Sequence, residues 1–247
     1  MHEFFLGLIQ GITEFLPVSS TGHMVIFRHL FNFNIDPVAG ETFLHMGTLI
    51  AVIFFLLPSL KRFLNMKMIL FLAVATIPAA VIGLSIYSRL EDIFLKFEYM
   101  PFFYLANAFF LWRADRTAHN TKRMEEMTWK DALLVGTFQA VALFPGISRS
   151  GMTIFGGLSS GLEPEEAARF SFALSIPAIL GGNLIQLIKN PDFSHWVPWL
   201  PGFFISVISG IFALFLLIRL VSKRKLFFFS FYSLLLAVSL FAIILFR

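Results

Sequence analysis

The chain has no cysteine, which excludes structural disulfides, thiolate-held metals and cysteine nucleophiles, and leaves the redox compartment unmarked. Charge is scarce too: Asp, Glu, Lys and Arg make up 14% of 247 residues, against 57% hydrophobic and a mean hydropathy of +0.80. Soluble domains carry about 25% charged residues. No water-soluble core has use for 33 Phe, many of them in runs with no alternating polar face. The solvent of this fold is lipid, and the Phe side chains face lipid or neighbouring helices. A basic n-region is missing as well, because Met1-His2-Glu3-Phe4 holds no Lys or Arg and no cleavage site follows. The start is therefore not read as a signal peptide, and the mature chain is expected to begin near Met1. The net charge of +4 sits in short clusters between apolar runs, where it sets topology rather than binding nucleic acid.

A spanning helix needs about 20 largely apolar residues. Thr42–Pro58, Met68–Ser88, Phe170–Ile188, Trp196–Ile218 and Leu226–Phe246 meet or approach this, and Tyr99–Trp112 is a shorter sixth. Two further apolar stretches stop partway. Phe4–Val18 contains Gln10, Thr13 and Glu14 and ends in Pro-Val-Ser-Ser-Thr-Gly, whereas Ala132–Ile147 contains Gln139 and ends in Pro-Gly-Ile-Ser-Arg-Ser-Gly.

These two segments are copies of one pattern. GLIQGITEFLPVSSTGHM (Gly7–Met24) and GTFQAVALFPGISRSGMT (Gly136–Thr153) align without gaps, pairing Gly7 with Gly136, Gln10 with Gln139, Phe15 with Phe144, Ser19 with Ser148 and Gly22 with Gly151. The offset is about half the chain, so the sequence predicts an internal repeat. Residues 1–125 form the first unit, with an interrupted segment at 3–31 and three spans; residues 126–247 form the second, with an interrupted segment at 131–160 and three spans. The expected fold is all-α, a polytopic membrane protein of about six spans. If each interrupted segment is re-entrant, three spans per unit invert the second unit relative to the first. Charge agrees: loops 61–67, 113–130 and 219–225 hold twelve Lys and Arg, and the opposite side holds four, Arg89, Lys96, Lys189 and Arg247. Basic loops are cytoplasmic, which puts both termini outside and makes the site accessible from the outer face.

Irregular backbone at membrane depth persists only where protein or a wet cavity satisfies it, and two such breaks at matching positions point to a site near the midplane. The buried charges there are Glu14 and Arg149. Gln10 and Glu14 share one helix face, with Gly7 beside them. Ser19, Ser20, Thr21 and His23 follow the first break, and Ser148, Ser150 and Thr153 surround Arg149 in the second. Bland roles exist for each. Glu14 can cap a neighbouring helix, Arg149 can snorkel to the interface, the hydroxyls can join helices, and His23 can bond a carbonyl. Leu143 stands where the first unit has Glu14, and Arg149 aligns with Ser20, so one unit supplies acid and hydroxyl and the other an anion clamp. Hydroxyl, carboxylate, imidazole and guanidinium suit phosphoryl transfer. The rival is a flippase or secondary transporter, which would use the same paired breaks. His45 and Glu41 lie near an apolar run and are assigned no role; the Gly pairs 156–157 and 181–182 read as helix-packing contacts and offer a homodimer face.

QGITEFLPVSSTGH (Gln10–His23) and PGISRSGMT (Pro145–Thr153) closely resemble the two signature motifs of the undecaprenyl-pyrophosphate phosphatases of the bacitracin-resistance type. Those bacterial plasma-membrane enzymes recycle the lipid carrier of cell-wall synthesis. The resemblance implies hydrolysis of a polyprenyl pyrophosphate to the monophosphate and inorganic phosphate. It places the two acidic-type positions on Gln10 and Glu14, the nucleophile on Ser20, the essential histidine on His23 and the phosphate-binding arginine on Arg149. Gln10, Ser19, Thr21, Ser148, Ser150 and Thr153 would contact substrate, and the divalent cation, Mg²⁺ or Ca²⁺, would sit at Glu14 and Gln10. Attack by Ser20 and attack by water with Glu14 as base both remain open.

Overall fold

The structure is a computed structural model and describes residues 2–31, 37–94, 96–117, 120–189 and 196–246. Every named element among them is helical, as lipid requires of a chain that must satisfy its own backbone hydrogen bonds. The first half of the chain contributes α1 (His2–Phe15), α2 (Ser20–Phe31), α3 (Pro37–Leu56), a short α4 (Leu60–Phe63), α5 (Met66–Phe94) and α6 (Met100–Ala114). The second contributes α7 (Trp129–Val141), α8 (Arg149–Ser159), α9 (Pro164–Lys189), α10 (Leu200–Ser222) and α11 (Phe227–Leu245).

Five helical stretches among the described residues are long and apolar enough to cross a membrane: Thr42–Phe63, Met66–Ser85, Pro164–Ile188, Val197–Ser222 and Phe227–Leu245. The chain is a multi-pass membrane protein. The shorter sixth stretch is α6, whose 15 residues reach about 22 Å at 1.5 Å per residue, less than the ~30 Å of hydrocarbon. A 3-10 turn at Phe97–Tyr99 lengthens it. Phe102, Phe109, Phe204, Phe212 and Phe231 are all more than half exposed, as side chains that meet lipid must be.

The two interrupted segments break for different local reasons. After α1, Pro17 offers no N–H to continue the helix, and Ser19 takes the left-handed conformation at φ 67° before α2 begins. After α7, Gly146 takes the left-handed role at φ 101°, where a side chain would be strained. Gly146 aligns with Pro17, not with Ser19, so the repeat is kept in sequence and varied in backbone. Ser148 then caps α8, accepting from the Gly151 N–H at 3.2 Å.

Packing crosses between the two units. α1 lies along α10 and α7 along α5. The aligned glycines make both seams possible: a Cβ on Gly7 would strike the backbone of Gly202, and one on Gly136 the backbone of Ala75. Gly7→Leu and Gly136→Leu are each expected to lower the thermal unfolding midpoint in detergent, since overpacking costs about 1–3 kcal/mol. Gly83→Ala, where among the described residues only ordinary contacts to Leu143 await, serves as the neutral control. Midpoints unchanged in both leucine variants would show that the seams yield freely.

One end of the bundle is a polar cap that joins the three basic loops. Arg62 donates to Glu125 and Glu166 at 2.8 and 2.7 Å, Lys67 to the Glu125 carbonyl at 2.5 Å, and Arg224 to the Thr117 carbonyl at 2.7 Å. Asp115 accepts from the Leu226 and Phe227 N–H groups and so caps α11; burial pushes its carboxyl up, the two amide bonds opposing this. The residues after α8 join the same cap, with the Lys122 N–H donating to the Gly161 carbonyl at 3.2 Å. At the other end, Glu3 lies against Gly202 and His29 stacks on Phe97 with centroids 4.0 Å apart.

Candidate active site

The two breaks meet. Ser20 is the first residue of α2 and Arg149 the first of α8, so a hydroxyl and a guanidinium emerge at two helix N-termini, ends that favour anions. Glu14, on the last turn of α1 and 8% exposed, stands between them. Its Oε1 accepts from Arg149 Nη2 at 2.7 Å. Its Oε2 accepts from Ser20 Oγ at 2.8 Å and from Gln10 Nε2 at 2.9 Å. Gln10, Glu14, Ser20 and Arg149 are thus one hydrogen-bonded set.

Two features give this set a direction. The Ser20 proton points at a carboxylate, which is how a hydroxyl is prepared as a nucleophile. Arg149 Nη1 is buried without a partner among the described residues, although buried donors are nearly always paired. An oxyanion of substrate would satisfy it, and a guanidinium with one arm on Glu14 and one free is suited to that.

The other expected residues are spent differently. Ser19 Oγ accepts from the Gly22 N–H at 3.3 Å and, across the two breaks, from the Gly146 N–H at 3.0 Å. Ser150 Oγ pairs with Ser148 Oγ at 3.0 Å. Thr153 Oγ1 donates to the Arg149 carbonyl at 2.8 Å and lies 2.6 Å from Ser171 Oγ on α9. Thr21 is exposed beside Ser20. His23 faces away from Glu14: its Nδ1 lies 2.7 Å from the Ser19 carbonyl and its Nε2 2.6 Å from the Tyr232 hydroxyl. A carbonyl only accepts, so Nδ1 carries the proton and neutral His23 accepts at Nε2. The Tyr232 ring stacks on it at 5.8 Å, and the Tyr104 hydroxyl sits 3.3 Å from Nδ1.

Four residues of this centre carry no sequence motif. His45 on α3 places Nδ1 3.0 Å from Gln10 Nε2 and 3.6 Å from Glu14 Oε2; its signal was a lone imidazole in an apolar run. Asn107 was a lone amide in another, on α6. Tyr104 and Tyr232 lie in the apolar stretches Tyr99–Trp112 and Leu226–Phe246 with no polar pattern beside them. The Glu41 side chain lies outside the described residues.

Among the described residues no three His, Asp or Glu side chains cluster as a closed metal cage. The oxygen donors present are the Glu14 carboxylate, the Gln10 amide and the Ser20 hydroxyl. This set fits the way Mg²⁺ is commonly held, by one or two carboxylates plus substrate phosphates.

Comparison with known proteins bears on the same residues. Residues 3–239 match the family described as bacitracin resistance protein BacA. An undecaprenyl-diphosphatase of Thermosipho africanus is 38% identical over 248 aligned positions, covering 96% of this chain and 98% of the relative. One from Thermotoga maritima is 39% identical over 237, covering 96% and 97%. Undecaprenyl-diphosphatase 3 of Bacillus cereus is 45% identical over 194, covering 76% and 74%. The family match runs through both breaks and through the helices that bring them together, and the chain belongs to the bacitracin resistance protein BacA family.

Proposed function

We propose that this chain is a membrane phosphatase that hydrolyses undecaprenyl pyrophosphate to undecaprenyl phosphate and inorganic phosphate. The observation that carries the reading is the chain Ser20–Glu14–Arg149, with Ser20 Oγ on one carboxylate oxygen, Arg149 on the other and Arg149 Nη1 unpartnered. The relatives are named as diphosphatases, and no observation favours the transport alternative.

In this reading Arg149 turns its free arm to the terminal phosphate. Glu14 takes the Ser20 proton as Oγ attacks the terminal phosphorus, and the bond to the bridging oxygen breaks, releasing the monophosphate lipid. Water then attacks the phosphoserine phosphorus, the bond from phosphorus to Oγ breaks, Glu14 returns its proton to Oγ, and inorganic phosphate leaves. His23, bonded to the Ser19 carbonyl and fixed at its other ring nitrogen by the Tyr232 hydroxyl, holds the left-handed residue that presents Ser20. A divalent cation, Mg²⁺ or Ca²⁺, would be held by Glu14 and the Gln10 amide oxygen together with substrate phosphates, and would supply charge neutralisation.

The topology belongs to the same proposal. What supports two re-entrant segments is that α7 leaves, and α8 returns to, the polar cap bonded through Lys122 and Gly161, whereas Glu3 and His29 contact the opposite end. With basic loops inward, both termini lie outside the bacterial plasma membrane, the units are inverted, and the site opens to the outer face. A homodimer would use the α9 face, where among the described residues nothing stands within 4 Å of a Cβ on Gly181 or Gly182; the mass of the detergent-solubilised protein tests this.

The purified protein with farnesyl or undecaprenyl pyrophosphate and Mg²⁺ should release phosphate. Ser20→Ala should reduce that rate by about 10³-fold or more if Oγ is the nucleophile. Release by Ser20→Ala within tenfold of the parent would instead make water the nucleophile and Glu14 its base, and no release by the parent would overturn the function.

A further inference from the structure

We infer that Asn107 is a positioning residue for phosphoryl transfer, the side chain that fixes the Ser20 turn against the Arg149 turn. The inference rests on the phosphatase reading above. Asn107 is fully buried on α6. Its Oδ1 accepts from the Ser148 N–H at 2.9 Å, one residue before Arg149. Its Nδ2 donates to the Pro17 carbonyl at 3.0 Å, three residues before Ser20, and to Ser233 Oγ on α11 at 3.0 Å. The amide orientation is forced, because a backbone N–H only donates and a carbonyl only accepts; the flipped amide would set like against like at both breaks.

Among the described residues three polar ties join the breaks: this amide, the Ser19 Oγ bond from the Gly146 N–H, and the Glu14–Arg149 ion pair. The ion pair must loosen as Arg149 engages phosphate. The other two hold backbone to backbone positions and do not depend on substrate, so they keep the clamp in register with the nucleophile while the ion pair rearranges. A misplacement of about 1 Å costs on the order of 10²-fold in rate. Ser233 offers the competing account, in which Asn107 merely joins α6 to α11.

The test is phosphate release from farnesyl pyrophosphate with Mg²⁺, comparing the parent with Asn107→Leu, Asn107→Gln and Ser233→Ala. Asn107→Leu keeps the branched four-atom shape and removes all three bonds; Asn107→Gln keeps the groups and displaces them by one methylene. Expected are a fall in kcat of about 10²-fold for the leucine variant and at least about tenfold for the glutamine variant, with KM for both within about threefold of the parent, and Ser233→Ala retaining most of its kcat. A leucine variant with kcat within threefold of the parent, a KM that rises in step with the loss, or an equal loss in Ser233→Ala would each overturn the inference. Should the leucine variant not fold, the glutamine variant decides: parental kcat overturns it and lowered kcat at parental KM sustains it. A parent that releases no phosphate fails the phosphatase reading, whereas an active parent with unaffected Asn107 variants fails this inference alone.

Discussion

Replacing Arg149 with alanine is expected to lower phosphate release by about 10³-fold or more, the scale seen when an arginine that neutralises a transferring phosphoryl group is removed. The site gives two reasons for so large an effect. Arg149 Nη1 is the one buried guanidinium nitrogen without a partner among the described residues, so it is the donor left over for substrate. Arg149 Nη2 also holds Glu14 Oε1 at 2.7 Å, so its loss strands a buried carboxylate. Removing one member of a buried ion pair typically costs about 3–5 kcal/mol, part of which the Gln10 and Ser20 donors offset here. Arg149→Lys separates the effects. It keeps a charge near Glu14 but not the planar fork, so folding should survive while kcat stays about 10²-fold or more below the parent. Thermal unfolding and phosphate release measured together decide this, and an alanine variant within tenfold of parental activity would sink the role of Arg149 as clamp.

The membrane class and the meeting of the breaks were legible because both depend on features that composition and order carry directly. Hydropathy sets where helices cross. The aligned Gly7 and Gly136 mark where two backbones must approach, and the structure seats them on Gly202 and Ala75. Glu14 and Arg149 were legible as costs, since a charge at membrane depth needs a partner. The division among neighbouring hydroxyls was not. Ser19, Ser20 and Thr21 offer one chemistry, and what separates them is the φ of Ser19, which sends its Oγ to the Gly22 and Gly146 N–H groups and leaves the next hydroxyl to Glu14. No periodicity reports a single left-handed residue. The surrounding residues were hidden for another reason. His45, Asn107 and Tyr232 reach the centre from α3, α6 and α11, helices outside both motifs, and a lone polar residue in an apolar run is equally suited to joining helices.

Glu14→Gln is expected to cost about as much as Arg149→Ala, although it removes only a charge. With its oxygen toward Arg149 Nη2 the amide turns an NH2 donor to Ser20 Oγ; flipped, it offers Ser20 a weakly basic oxygen and sets a donor against Arg149, so in either orientation the Ser20 proton loses its basic acceptor. Loss of a positioned base together with an activated nucleophile corresponds to about 10³–10⁴-fold in kcat. Raising the pH should not restore the rate, because a serine hydroxyl does not ionise in the accessible range. The Mg²⁺ concentration for half-maximal activity should rise in the residual reaction if Glu14 also holds the cation. The decisive form is the double variant. In the proposed reaction Glu14 and Arg149 act on one phosphoryl group and on each other, so Glu14→Gln with Arg149→Ala should be little worse than either alone, as for residues that work as a unit. Additive losses, with the double variant about 10⁶-fold or more below the parent, would mean that the two side chains act independently and that the 2.7 Å bond between them is a resting contact, not part of the catalytic arrangement.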